Sequence, residues 1–177
     1  APMLEIAQHN SQRLSLLIND LLDMDKLIAG KMTFDLQPHA VLPLLQEALR
    51  SNQTYAEQHQ VSYQLLAVEP PLASTQACVD PLRLQQVLAN FLSNACKFSP
   101  VGTTVELSLE RRGDSLRVSV RDYGEGIPLD FQARIFQKFS QADASSTRQK
   151  GGTGLGLAIS KELIERMNGQ IGFDSHA

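Results

Sequence analysis

Asn90, Asn94 and Lys97 stand at i, i+4 and i+7 of a stretch with helical apolar spacing, so a helix would line them along one polar edge. Asparagine is a poor helix former because its amide competes for backbone partners. Two of them one turn apart, with a lysine one turn on, offer carbonyl oxygens to a hard cation and a charge to phosphate. Magnesium suits such a surface, since it takes few protein oxygens and keeps waters and phosphate oxygens for the rest. Two capped or solvated amides are the plainer reading of the same residues.

A second group is Asp122-Tyr123-Gly124-Glu125-Gly126-Ile127, directly after an alternating strand pattern. A carboxylate there can accept a hydrogen bond from an exocyclic amine, and the glycines let a flat ring approach the backbone. An ordinary glycine turn is the alternative. The Asp-Tyr-Gly run mimics the magnesium-binding Asp-Phe-Gly of protein kinases, but no H-R-D or upstream glycine loop accompanies it. The third group is Gly151-Gly152-Thr153-Gly154-Leu155-Gly156-Leu157, whose backbone N–H groups at a helix start would form an anion site. It fits neither a Rossmann fingerprint nor a Walker loop.

These groups need elements to hold them. The first thirty residues read as one helix with Leu14, Leu17, Leu21, Met24 and Ile28 as a narrow stripe, ending at Ala29-Gly30. Such a stripe predicts an appendage that pairs with other helices. Met32, Phe34 and Leu36 alternate as a strand closed by Pro38, and a helical stretch runs from Val41 to about Gln58. A strand follows at Val61–Leu65, then a Pro70-Pro71 break. Asp80-Pro81 is a helix start, with a side-chain cap and proline at the first position. The helix it opens carries Leu84, Val87, Leu88, Phe91, Leu92 and Ala95 on its apolar face. Val105, Leu107 and Leu109, then Leu116, Val118 and Val120, form a hairpin around Gly113-Asp114. A helix is expected from Pro128 to about Phe136, a polar loop from Gln141 to Lys150, a helix from Gly154 to about Met167, and a strand from Gln170 to Asp174.

The 177 residues carry 16 basic and 19 acidic side chains, net −3, and 42% are hydrophobic. That chain can bury a core, is not disordered, and has no basic footprint for nucleic acid. It has no apolar run long enough for a membrane helix. Cys78 and Cys96 make no zinc or C-x-x-C spacing, and a reduced cytoplasmic protein is the expectation.

Taken in order, the asparagine helix, the Asp-x-Gly-x-Gly turn and the glycine helix start resemble the nucleotide-binding fold shared by sensor histidine kinases, type II topoisomerases, ninety-kilodalton heat-shock chaperones and mismatch-repair ATPases. Three segments are similar to the histidine kinases in particular. Arg134-Ile-Phe-Gln-Lys-Phe-Ser-Gln141 resembles their phenylalanine box, residues 10–26 the second helix of their dimerisation hairpin, and Ser146-Thr-Arg-Gln-Lys150 the lid of hybrid kinases.

The resemblance implies an α/β (α+β) two-layer sandwich, a mixed sheet covered by three helices and preceded by one long helix. Residues 1–29 would be that hairpin helix and 30–177 the ATP-binding catalytic domain, with its last strand missing. Asp122 would read the adenine amine, Ile127 and Phe98 would line the ring, and Gly124 and Gly126 would shape the turn. Asn94, helped by Asn90, would hold magnesium. Lys97 and the backbone of Gly152, Thr153, Gly154, Leu155 and Gly156 would steady the phosphates, with Phe139 nearby and Arg148 or Lys150 closing from the lid.

The partners implied are ATP, a second copy through the first helix, and a response regulator or receiver domain, with no nucleic acid. The setting implied is a cytoplasmic fragment of a protein that can be anchored in the bacterial inner membrane. ATP-hydrolysing relatives carry a glutamate one turn before the magnesium asparagine; here that place is Asn90, which cannot act as a base. No histidine here is followed by Glu or Asp, as a phosphoacceptor would be, so the acceptor is expected upstream and this fragment supplies only ATP positioning. A non-catalytic ATP-binding scaffold and an ATP hydrolase are the alternative functions.

Overall fold

The computed structural model describes residues 1–139 and 153–176. Its central sheet has the order β2-β4-β5, with β2 (Ser62–Leu65) parallel to β4 (Thr104–Arg112) and β5 (Ser115–Arg121) antiparallel to β4. Gly113, at φ +60°, turns the β4–β5 hairpin. Val105, Leu107 and Leu109 alternate inward from β4 and meet Val41, Leu45, Ala48, Leu84, Leu88, Leu92 and Ala95 from the helices. Those helices are α2 (Val41–Ser51) and α4 (Pro81–Phe98), while α3 (Gln53–Gln58) adds Ala56. The last helix, α6 (Gly156–Arg166), packs along α4 and completes the helical layer. The two-layer mixed α/β architecture is therefore the one expected.

Several local expectations need correction. Residues 32–36 form no strand, because their anchors are side-chain ones. Met32 is buried in a second apolar cluster, and the Asp35 N–H donates to the Asp80 carboxylate at 3.0 Å. The strand here is β1 (Gln37–Ala40), which contains Pro38 and pairs antiparallel with β3 (Gln76–Val79). A proline is tolerated there because β1 is an edge strand. The stretch from 41 to 58 breaks at Asn52, whose side-chain amide donates to the Ala48 carbonyl at 2.7 Å. The expected helix at 128–136 is one turn, α5 (Leu129–Gln132), after which bonds from Arg134 N–H to Phe131 and from Gln137 N–H to Arg134 replace the helical ladder. Residues 170–174 form no strand either. Phe173 packs on Phe136, ring centroids 6.0 Å apart, and the Ser175 hydroxyl accepts from the Ile127 N–H at 2.7 Å.

The largest correction concerns α1 (Pro2–Ile28). Its stripe does not act as one unit. Leu14, Leu21 and Ile28 are exposed, whereas Met24 is buried and Leu27, absent from the expected stripe, is fully buried (0% exposed). Met24 and Leu27, with half-buried Leu17 beside them, join Val87, Leu155, Ala158, Ile159 and Leu163 in a cluster between α1, α4 and α6. Arg166 clamps the end of α1 by donating to the Leu27 carbonyl at 2.7 Å, and Gln86 donates to Asp23 at 2.9 Å. Burial of this edge removes more apolar area than a solvated stripe would, at about 25 cal/mol per Å². The C-terminal half of the helix thus packs on its own domain, and the expected pairing with other helices is left to its exposed edge.

Candidate functional site

Helix α4 is the rod on which the site is assembled. Asp80 caps it by accepting from the Leu82 N–H at 3.0 Å and the Arg83 N–H at 3.4 Å, and Pro81 occupies the first turn. Burying Leu84, Leu88, Leu92 and Ala95 against the sheet leaves Asn90, Asn94 and Lys97 half-buried along the opposite margin. Two contacts then bring other segments to this helix, and a third ties the glycine helix start to α1 and Phe139.

At its middle, the Asn90 side-chain N–H donates to the Ser160 hydroxyl of α6 at 3.0 Å, and Ser160 is 2% exposed. The Asn90 Oδ1 lies over Gly156, where any Cβ would collide with it. A larger residue there would have to push the Asn90 amide off its bond to Ser160, so glycine keeps α6 this close to α4. What Asn90 retains for a cation is therefore Oδ1. The Asn94 side chain, one turn on, makes no hydrogen bond to another described residue, which leaves its carbonyl oxygen available.

At its C-terminal end, the carbonyl of Phe98 abuts Gly124 so tightly that a Cβ on Gly124 would strike it. Gly124 donates its N–H to Asp122 Oδ1 at 2.9 Å, which fixes the exposed carboxylate at the end of β5. Gly126 takes φ +81°, a conformation that glycine alone adopts freely. Half-buried Ile127 is held from both sides, by Ser175 and by the Gln132 amide, which donates to its carbonyl at 2.8 Å. Tyr123 turns away from this loop: its hydroxyl donates to Glu106 at 3.0 Å, and Arg121 stacks over its ring at 4.8 Å. The likeness to a protein-kinase Asp-Phe-Gly therefore ends at the aspartate.

The glycine helix start closes the third side. Thr153 Oγ1 accepts from the Leu155 N–H at 3.2 Å and donates to Asp20 of α1 at 2.5 Å. Gly154, at φ +74°, backs onto Phe139, and a Cβ there would lie 2.7 Å from the Phe139 Cα. Leu155 is fully buried, so it offers the site only backbone. Arg148, Lys150 and Gly152 lie outside the described residues.

Electrostatics distinguish this margin from an ordinary surface. Burial pushes the Lys97 amine below its ordinary value; the Asp20 carboxylate opposes that shift and Arg13 adds to it. A half-buried cation gains by meeting anions, and so does the helix N-terminus of α6. With the Asn94 oxygen next to it, the donor set fits a phosphate chain and a hard cation that keeps most of its own ligands. Cys96 takes no part: its thiol donates to the Tyr63 hydroxyl at 3.1 Å, and burial raises its pKa.

The sandwich, the turn after β5 and the glycine start of α6, all seated on one asparagine-bearing helix, define an ATP-binding domain. Residues 79–177 match the model of the histidine kinase-, DNA gyrase B- and HSP90-like ATPase family, and the chain belongs to that family. It is 44% identical to the sensor histidine kinase GacS of Pseudomonas protegens over 90% of this chain and 18% of that one. Among solved structures, full-length ShkA in complex with AMPPNP is 32% identical, with a TM-score of 0.77 over 94% of this chain and 34% of ShkA. The histidine kinase ThkA in complex with the response regulator TrrA has a TM-score of 0.71 at 20% identity, over 94% of this chain and 44% of ThkA, a likeness of fold. The curated relatives it matches are named sensor kinases, and the chain spans about a fifth of the length of relatives such as GacS.

Sequence reasoning missed Ser160, Asp20 and Leu27. Ser160 was detectable as a hydroxyl on the apolar face that carries Ala158, Ile159 and Leu163. Asp20 had no local signal, since its partners lie 77 and 133 residues away.

Proposed function

We propose that this chain holds Mg-ATP and presents its γ-phosphate to a histidine on a helix upstream of residue 1, within a two-component system. The observation that carries this reading is the convergence on α4, where Phe98 meets Gly124 and Asn90 meets Gly156 and Ser160, while Phe139 backs Gly154 just before α6. Asp122 accepts from the adenine amine, and Phe98 and Ile127 flank the ring, with Gly124 and Gly126 allowing close approach. Asn94, with Oδ1 of Asn90, holds magnesium, which neutralises charge on the phosphate oxygens when bound. Lys97 and the backbone of Gly152, Thr153, Gly154, Leu155 and Gly156 hold the phosphates, Phe139 backs the glycine segment, and Arg148 or Lys150 closes over them.

Phosphoryl transfer needs positioning and charge stabilisation more than covalent chemistry from the protein. Hydrolysis would need a base near the γ-phosphate, and an amide whose N–H is committed to Ser160 is not one. Residues 1–29 are the second helix of a dimerisation hairpin and residues 30–177 the catalytic domain. The exposed Leu14, Leu21 and Ile28 edge meets a second copy and the missing hairpin helix. A response regulator or receiver domain takes the phosphoryl group from the histidine, on the cytoplasmic side of any membrane anchor; no helix among the described residues is long and apolar enough to cross one. Calorimetry should give one Mg-ATP per chain. Absence of any nucleotide binding by the folded chain contradicts the proposal.

A further inference from the structure

We propose that Asp20 is a built-in stand-in for phosphate: its carboxylate docks the middle of α1 on the Thr153–Lys97 corner, and bound Mg-ATP drives it off. The inference rests on the ATP reading above and adds a regulatory contact to it. Thr153 Oγ1 donates to Asp20 at 2.5 Å while accepting from the Leu155 N–H, so the carboxylate is held just beyond the start of α6. That is where a helix start and freed N–H groups favour an anion. Lys97, the cation assigned to phosphate, lies within charge-interaction range of the same carboxylate, and burial raises the Asp20 pKa.

A carboxylate and a triphosphate cannot share this corner without repulsion, since both need the same ammonium beside the same glycine segment. The remaining anchors of α1 use neither the Lys97 ammonium nor the Thr153 hydroxyl. Met24 and Leu27 are buried against Ile159 and Leu163, Gln86 binds Asp23, and Arg166 binds the Leu27 carbonyl. Nucleotide therefore releases α1 around residues 13–20 and leaves its C-terminal end docked. The contact ties ATP occupancy to the helix that precedes the domain.

The test measures Mg-ATP affinity of the whole chain, Asp20→Asn and Asp20→Ala by calorimetry, with hydrogen exchange at residues 13–20 followed with and without Mg-ATP. Each variant's melting curve confirms folding. Both variants should bind about three- to tenfold more tightly, because the docked state no longer competes. Mg-ATP should speed exchange at residues 13–20 in the native chain, whereas in the variants exchange is already fast. Unchanged affinity with unchanged exchange overturns the proposal, and weaker binding by both variants makes Asp20 a contributor to the nucleotide site instead. If neither the native chain nor the variants bind, the ATP reading itself fails and the stand-in role with it.

Discussion

The Asn90 side-chain amide donates to the hydroxyl of Ser160 at 3.0 Å, joining the middle of α4 to α6 next to Gly156. This bond sets the register of the glycine helix start against the asparagine margin. Ser160→Ala should leave the half-buried amide without its partner and cost about 1–3 kcal/mol of stability. Urea unfolding measures this, with Mg-ATP affinity expected to fall alongside. An unchanged midpoint would mean that packing of Leu155, Ile159 and Leu163 alone fixes α6.

Asp122→Asn should weaken ATP far more than GTP. The carboxylate accepts from the adenine amine, and guanine presents a carbonyl there. A lost hydrogen bond to a charged acceptor costs about 1.5–3 kcal/mol, roughly ten- to a hundred-fold in affinity. Equal small losses for both nucleotides would reduce Asp122 to a residue that only fastens the Gly124 turn.

Asn94→Ala should remove the tightening of ATP binding by magnesium and leave the melting temperature within a degree or two. The Asn94 side chain makes no hydrogen bond to another described residue, so its loss strands no partner. A collapse in stability together with a normal magnesium effect contradicts its assignment to the cation.

The two edges of α1 should separate in one experiment. Leu27→Ala removes a fully buried side chain and should cost about 2–5 kcal/mol of domain stability. Charged residues at exposed Leu14 and Leu21 should instead abolish self-association, read by sedimentation, without changing unfolding. If Leu14 and Leu21 prove as costly to stability as Leu27, the exposed edge is not an association surface.

The sandwich was legible because its signals are local. Asp80-Pro81 caps α4, the alternation from Val105 to Val120 makes the hairpin, and glycines stand where Phe98, Asn90 and Phe139 crowd the backbone. What was not legible depends on which surfaces meet. Leu17, Leu21 and Met24 share one periodicity, yet α6 covers Met24 and leaves Leu21 exposed. Residues 32–36 alternate like a strand, but the Asp80 carboxylate takes the Asp35 N–H that a ladder would have used. Pro38 resembled a strand terminator because the edge position of β1 could not be foreseen. Of the site, the residue types were readable; the roles of Ser160 and Asp20 come from helices distant in sequence.

The account turns on transfer of a phosphoryl group rather than its release to water, and γ-labelled ATP distinguishes the two. Incubated alone, the chain should bind the nucleotide, release phosphate no faster than background and acquire no label, since no histidine here is followed by an acidic residue. Supplied with the missing hairpin helix from its own full-length protein, it should label that helix on histidine, with a bond labile to acid and stable to alkali. Steady phosphate release would make it a hydrolase, and acid-labile label that vanishes with His9→Gln would move the acceptor into α1 and contradict the account.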